Sequence, residues 1–207
     1  MSSRAYNRSM KTEPEPPLKI HGMTEDEFYA YADEDCPWQF LGGELVSEPV
    51  SEHHEDLFAF LISLLRFYLS ERGGGEVRGS RYAMRLDPKW SPEPDLLVVR
   101  PERRHLMGPQ RLEGPADLVI EIASPGRIDL RKKLPRYLEA RVPEIWIVDP
   151  YARSVRVDTL EPGGYETRTL TAGILRSVVV PGFWIDVAWL WQQPLPAPPS
   201  CLRQILA

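Results

Sequence analysis

Apolar and polar positions alternate along this chain in a few strongly patterned stretches separated by polar turns. The most pronounced is SEHHEDLFAFLISLLRFYLSERGGG, residues 51–75, where apolar side chains recur over several turns and acids fill the first turn. Ser51 stands where an N-cap belongs, and the three glycines at the end supply a stop, so the pattern predicts a long helix. A shorter helix is predicted after Thr24, whose spacing to Glu27 is that of a capping box. WQFLGGELVSEP reads as a hairpin turning at Gly42 and Gly43. EVRGSRYAMRL, PDLLVV, DLVIEIA and EIWIVDP read as strands, with a helix around RKKLPRYLEAR between the last two. SVRVDTL and GYETRTL form a hairpin across EPGG, and a last extended piece lies near VVVPGFWIDVAWLW.

This succession predicts an α/β protein in which a mixed β-sheet is flanked by helices. The core order is helix, three strands, helix, strand (αβββαβ), with an extra N-terminal hairpin and extra C-terminal strands. Residues 1–18 are polar and proline-bearing and are expected to form a flexible tail. Residues 19–192 are expected to form a single domain, and residues 193–207, which include PLPAPPS, a proline-rich C-terminal tail. The chain shows no internal repeat and no long linker.

Composition narrows the class. With 207 residues, 43% apolar and 27% charged, the chain suits one well-buried globular domain. Its longest apolar run, LFAFLISLLRFYL, is interrupted by Arg66 and is too short to span a bilayer, so no membrane association is expected. The first residues carry no apolar leader, and Cys36 and Cys201 form neither a disulfide framework nor a metal-ligand pattern, which points to a cytoplasmic protein with free thiols. The net charge of −5 argues against indiscriminate coating of nucleic acid, but the charge is uneven. Residues 1–60 hold 4 basic and 13 acidic side chains, whereas residues 100–141 hold 10 basic and 6 acidic ones. A local basic zone of this kind can engage phosphate, or it can be a solvated mixed-charge face.

Two acids change the picture further. Along a strand successive side chains point to opposite faces, so Asp95 shares a face with Leu97 and Val99, and Glu121 one with Val119 and Ala123. Leu118, Ile120 and Ile122 cover the other face. If the two strands pair antiparallel, or lie staggered in one sheet, the carboxylates converge. Two buried carboxylates repel and each costs several kcal/mol, roughly, to desolvate. A hard divalent cation such as Mg²⁺ relieves both penalties and suits one or two carboxylates, several waters and a substrate phosphate. The plainer alternative for either acid alone is an arginine partner or a strand-end cap.

Pro94-Asp95 followed by Glu121 on a later strand resembles the PD-(D/E)XK nuclease signature. The block LVIEIASPGRIDLRKKLPRYLEARVPEIWIVDP, with its glutamate, Ser-Pro, Asp129, Lys133, Tyr137, Val-Pro-Glu turn and Asp149, is similar to the Uma family of bacterial proteins classed as restriction endonucleases. The likeness extends upstream through GGELVSEPVSEHHEDLFAFL. It implies a restriction endonuclease-like core and a Mg²⁺-dependent DNA endonuclease, with Mn²⁺ as a substitute ion and 5′-phosphate products. The resemblance assigns catalysis to Asp95, Glu121 and Lys133, the metal to Asp95, Glu121 and the Ile122 backbone carbonyl, and auxiliary positions to Glu44 and His54. The chain departs from the general signature at Ala123, where the lysine of E-x-K would stand; in this family the lysine has moved to the next helix, at Lys133. A small residue at 123 leaves room for an ammonium reaching across from that helix. Pro135 lies inside the same helix, which predicts either a later helix start or a kink. The tryptophan-rich FWIDVAWLW and apolar strand edges suggest a homodimer. An alternative reading is a catalytically silent nuclease fold that binds DNA or a protein partner. No nucleotide-binding glycine loop or Gly-x-Ser-x-Gly nucleophile is present.

Overall fold

The computed structural model describes residues 24–31, 39–46, 51–79, 81–124 and 128–207. The expected N-terminal tail lies outside these residues. Helix α1 (Glu25–Tyr31) starts at Thr24, whose hydroxyl accepts from the Glu27 amide at 3.3 Å while the Glu27 carboxylate accepts from the Thr24 amide at 2.8 Å. This is the reciprocal capping box that the spacing predicts. Strands β1 (Gln39–Leu41) and β2 (Glu44–Val46) form the predicted hairpin, and its turn glycines, Gly42 and Gly43, have φ of 63° and 81°, which glycine adopts without strain. The long helix α2 (Glu52–Arg72) is capped by the Ser51 hydroxyl at its start and closed by Gly73 in the left-handed region, φ 70°.

The strands that follow are β3 (Glu76–Gly79), β4 (Ala83–Arg85), β5 (Trp90–Ser91), β6 (Leu96–Val99), β7 (Arg111–Glu113) and β8 (Leu118–Ile122). Helix α3 (Ile128–Glu139) leads to β9 (Glu144–Asp149), β10 (Ser154–Glu161), β11 (Gly164–Leu170), β12 (Ile174–Arg176), β13 (Trp184–Asp186) and helix α4 (Pro198–Leu206). Six strands make the central sheet in the order β11-β10-β9-β8-β6-β3, all neighbours antiparallel except β8 and β9. Its core follows the predicted succession, α2-β3-β6-β8-α3-β9. The parallel step between β8 and β9 requires a crossover, and α3 provides it.

Alternation fixes which face each side chain enters. Leu96, Val98, Leu118, Ile120, Ile122, Trp146 and Val148 pack with α2 and α4 in one apolar cluster. Leu97, Val99, Val119, Ile145 and Ile147 pack on the opposite side with Tyr137, Val142, Met84 and Leu112. Both faces are therefore covered, which explains why the strands read as nearly continuous apolar runs.

Three expectations need correction. EVRGSRYAMRL is not one strand: β3 joins the central sheet, β4 pairs in parallel with β7, and between them Arg81 takes a positive φ of 72°. The piece near VVVPGFWIDVAWLW is extended only over β13 and then turns into a 3-10 helix, Val187–Trp191, whose first turn is capped by Asp186. Residues 193–207 are not simply a tail. Proline can occupy the first turn of a helix without losing a hydrogen bond, and Pro198 opens α4, whose Cys201 and Ile205 are buried against the α2 cluster.

Candidate active site

Strands β6 and β8 pair antiparallel with Leu96 opposite Ile120 and Leu97 opposite Val119. One further step along that register sets Asp95 across from Glu121. The Asp95 carboxylate also accepts the Ile122 amide at 2.6 Å, which pins it to β8. Both acids are buried, Asp95 at 7% exposure and Glu121 at 0%. The sequence-level condition for convergence, antiparallel pairing of the two strands, is met.

Helix α3 returns over the Val119 face and brings two side chains one turn apart onto Glu121. Lys133, 1% exposed, places its ammonium 3.4 Å from Glu121 Oε1 and donates to the Glu93 carbonyl at 2.8 Å. Tyr137, fully buried, donates its hydroxyl to the same Oε1 at 2.6 Å. The neighbouring Lys132 leaves the cluster: it is partly exposed and pairs with Glu44 at 3.0 Å. Glu44 thus sits on β2 at the margin, tied to α3, and this hydrogen bond fastens the N-terminal hairpin beside the site. His54, in the first turn of α2 and 3% exposed, sets Nε2 3.1 Å from Asp95 Oδ1. The structure therefore gathers Asp95, Glu121, Lys133 and His54, and pairs Glu44 with Lys132.

Pro135 does not delay the helix, which begins at Ile128 and runs through it. The proline is solvent-exposed, so its missing amide and bulky ring lie on the outer side and the inner face stays intact. Ala123 continues the ladder, its amide donating to the Val148 carbonyl at 2.8 Å.

Two neighbours of the site were not singled out as functional from sequence. Tyr137 stood in the motif as a pattern residue, and nothing in its spacing reveals a hydroxyl aimed at Glu121. Glu93 lies two residues before Asp95, but the strand begins only at Leu96, so period-two reasoning gives no signal for it. Burial pushes its carboxyl up to about 7, while the Lys133 and Arg81 charges act in the opposite direction.

Other buried acids serve as a contrast. Asp117 is met by the Arg100 amide and by the Arg100 and Arg103 guanidinium groups. Glu144 accepts from Trp146, Ser177 and the amides of Val178 and Val179. Asp158 accepts from Arg156 and Thr167. These three are bound by arginine, backbone or neutral donors, as structural acids are. Asp95 and Glu121 also accept from an amide and a tyrosine hydroxyl; what sets them apart is the imidazole beside the one and the lysine beside the other.

The donor chemistry fits a hard cation. Two oxygen-bearing side chains stand on adjacent strands in a buried setting, and Mg²⁺ takes one or two carboxylates and completes its shell with water and phosphate oxygens. Among the described residues no group of three or more His, Cys, Asp or Glu forms a metal cage. An ion here would keep positions for water or substrate.

Comparison with known proteins speaks for the family and the fold. Residues 25–188 match the family Uma2, described as "Putative restriction endonuclease". Among solved structures, the chain is similar to the crystal structure of "a putative nuclease belonging to DUF820" from Anabaena variabilis, with a TM-score of 0.69 and 16% sequence identity, covering 82% of this chain and 98% of that one. At that identity the match speaks for the fold, a restriction endonuclease-like core. No curated protein matches. The family match covers most of the chain, from α1 to the end of the last sheet strand, and takes in every residue of the buried site: the chain belongs to the Uma2 family of restriction endonuclease-like proteins.

Proposed function

We propose that this protein is a Mg²⁺-dependent endonuclease that hydrolyses DNA phosphodiester bonds. The observation that carries the proposal is the facing pair Asp95 and Glu121 with the buried Lys133 ammonium 3.4 Å from Glu121. Asp95 and Glu121 hold the ion, with the Ile122 carbonyl as a further ligand and Mn²⁺ as a substitute. Bound there, the ion polarises the phosphodiester and lowers the pKa of the attacking water. Lys133 orients that water or offsets the charge that grows on the phosphate, acting from a buried position where its field is little screened. His54 holds Asp95 in place from α2. Glu44 acts at one remove, through Lys132.

Incubating supercoiled plasmid with the protein and Mg²⁺ or Mn²⁺ tests the reading. Wild type should nick it in a chelator-sensitive way. Asp95→Ala, Glu121→Ala and Lys133→Ala should each lose at least about a hundredfold in rate, the scale of losing one preorganised electrostatic group. Chelator-resistant nicking, or nicking that survives all three substitutions, would refute the proposal.

One observation favours a second reading, a silent module that binds DNA or a protein. The Lys133 ammonium already has two acceptors, the Glu93 carbonyl and Glu121, as a purely structural lysine would. DNA binding without cleavage in either metal would decide for that reading.

A further inference from the structure

We infer that Tyr137 is the positioning residue of this site, its hydroxyl fixing the Glu121 carboxylate in the orientation from which the second oxygen meets the ion. The inference rests on the reading of Glu121 as a metal ligand. Glu121 leaves the sheet from a fully buried strand, its Cα held in the ladder to β9 opposite Ile147 and flanked on the β6 side by Ile120, opposite Leu96, and by the Ile122 amide on Asp95. Tyr137 then holds Oε1 at 2.6 Å. A carboxylate is rigid and planar, so with the backbone and one oxygen fixed, the second oxygen is confined to a short arc.

The tyrosine is itself held at both ends. Its ring is fully buried in the cluster that contains Leu97, Val119 and Ile145, and its carbonyl accepts the Val142 amide at 3.0 Å where the helix ends. Packing alone would favour phenylalanine here, because a buried hydroxyl must be desolvated and then satisfied. The hydroxyl is therefore the part of the side chain that packing does not explain. Lys133 cannot take over the role. Its ammonium is farther from Oε1, at 3.4 Å, is shared with the Glu93 carbonyl, and carries a positive charge that opposes a nearby cation. Tyr137 is a neutral donor, and it orients the carboxylate without repelling the metal. Hydrogen-bond partners of metal-binding carboxylates typically change metal affinity by about 10–100-fold when removed.

The test is calorimetric titration of the full chain with Mn²⁺, comparing wild type, Glu121→Gln and Tyr137→Phe, with metal-free thermal unfolding as the control. Tyr137→Phe should bind Mn²⁺ at least about tenfold more weakly at an unchanged folded fraction. If wild type binds Mn²⁺, Glu121→Gln loses it and Tyr137→Phe binds as wild type does, the positioning role is refuted while the metal site stands. If wild type does not bind, or Glu121→Gln binds equally well, the metal reading falls and takes this inference with it. Weaker binding that merely tracks a smaller folded fraction also refutes it. Wild-type crystals soaked in Mn²⁺ give a measurement independent of any variant. An ion on Glu121 Oε2 with Tyr137 still bonded to Oε1 supports the role; an ion on Oε1 with Tyr137 displaced, or no ion, overturns it.

Discussion

Burying the Lys133 ammonium costs several kcal/mol, roughly, before its partners act, so the contacts around it carry information about what the site tolerates. Removing the amine alone leaves Glu121 buried beside Tyr137 with its lysine partner gone. Lys133→Met should therefore destabilise the metal-free protein by about 3 kcal/mol. Adding Glu121→Gln should recover at least half of that loss, because the buried carboxylate charge has gone with its lysine; urea unfolding of the two variants checks the pair. Equal destabilisation in the single and double variants would mean that the ion pair is not what holds the lysine. Glu144 provides the opposite case. It is fully buried, and four donors meet its carboxylate: Trp146 Nε1, the Ser177 hydroxyl and the amides of Val178 and Val179. Glu144→Ala leaves these donors unsatisfied and should cost about 3 kcal/mol in urea unfolding while nicking per folded molecule is unchanged. At this scale the sequence was only partly informative. It places five buried acids in strand-like runs or at their ends, and composition cannot distinguish Asp117, Glu144 and Asp158 from Asp95 and Glu121. The partners decide, and the partners come from elsewhere in the chain.

Elements carry the site through register and crossover. The β6–β8 pairing sets Asp95 beside Glu121, and a slip of one residue would turn one of them to the α2 face. The crossover helix α3 is long enough to bring both Lys133 and Tyr137 down on one glutamate oxygen. Its interior proline is a local flaw, since Pro135 cannot donate to the carbonyl of Arg131. Pro135→Ala restores an amide donor on an exposed position and should raise stability by about 1 kcal/mol, read as a shift in the urea midpoint. The turn from α2 into β3 is fixed more strictly. Gly75 has φ 90°, and a Cβ there would lie 2.7 Å from the Val99 carbonyl oxygen, so Gly75→Ala should lower the thermal midpoint markedly. Most of these elements were legible in advance, because caps, glycine stops and apolar periodicity are local properties. The division of EVRGSRYAMRL between two sheets was not, because both halves have strand composition and only their partners differ.

Over the whole molecule, sequence-level charge redistributes. The basic zone of residues 100–141 is not a continuous stripe. Arg100 and Arg103 meet Asp117, Arg104 meets Glu76, Arg111 meets Glu25 and Glu113, and Arg136 meets Glu139. Part of its excess is met by acids outside the zone, Glu76 and Glu25, and the rest of these pairs are internal to it, so linear charge does not map onto one basic face. The C-terminal segment also changes role at this scale. Helix α4 buries Cys201 and Ile205 against α2, and truncation after residue 197 should expose that apolar face and cost several kcal/mol, roughly, of unfolding free energy. A truncated chain as stable as the full one would show that the segment is dispensable. Among the described residues no helix is long and apolar enough to cross a membrane.

The chain by itself determined its first three helices, two of its hairpins, the core succession of strands and the family to which it belongs, because periodicity, capping and an ordered motif are written in neighbouring residues. Tertiary structure alone decided which buried acids stand together, that EVRGSRYAMRL divides between two sheets, that Tyr137 takes hold of the Glu121 carboxylate, and that the proline-rich end folds back as a helix. The physical reason is common to all four. Each depends on contacts between residues far apart in sequence, and burial fixes those contacts only after the sheet has set its register and the helices have closed over both faces.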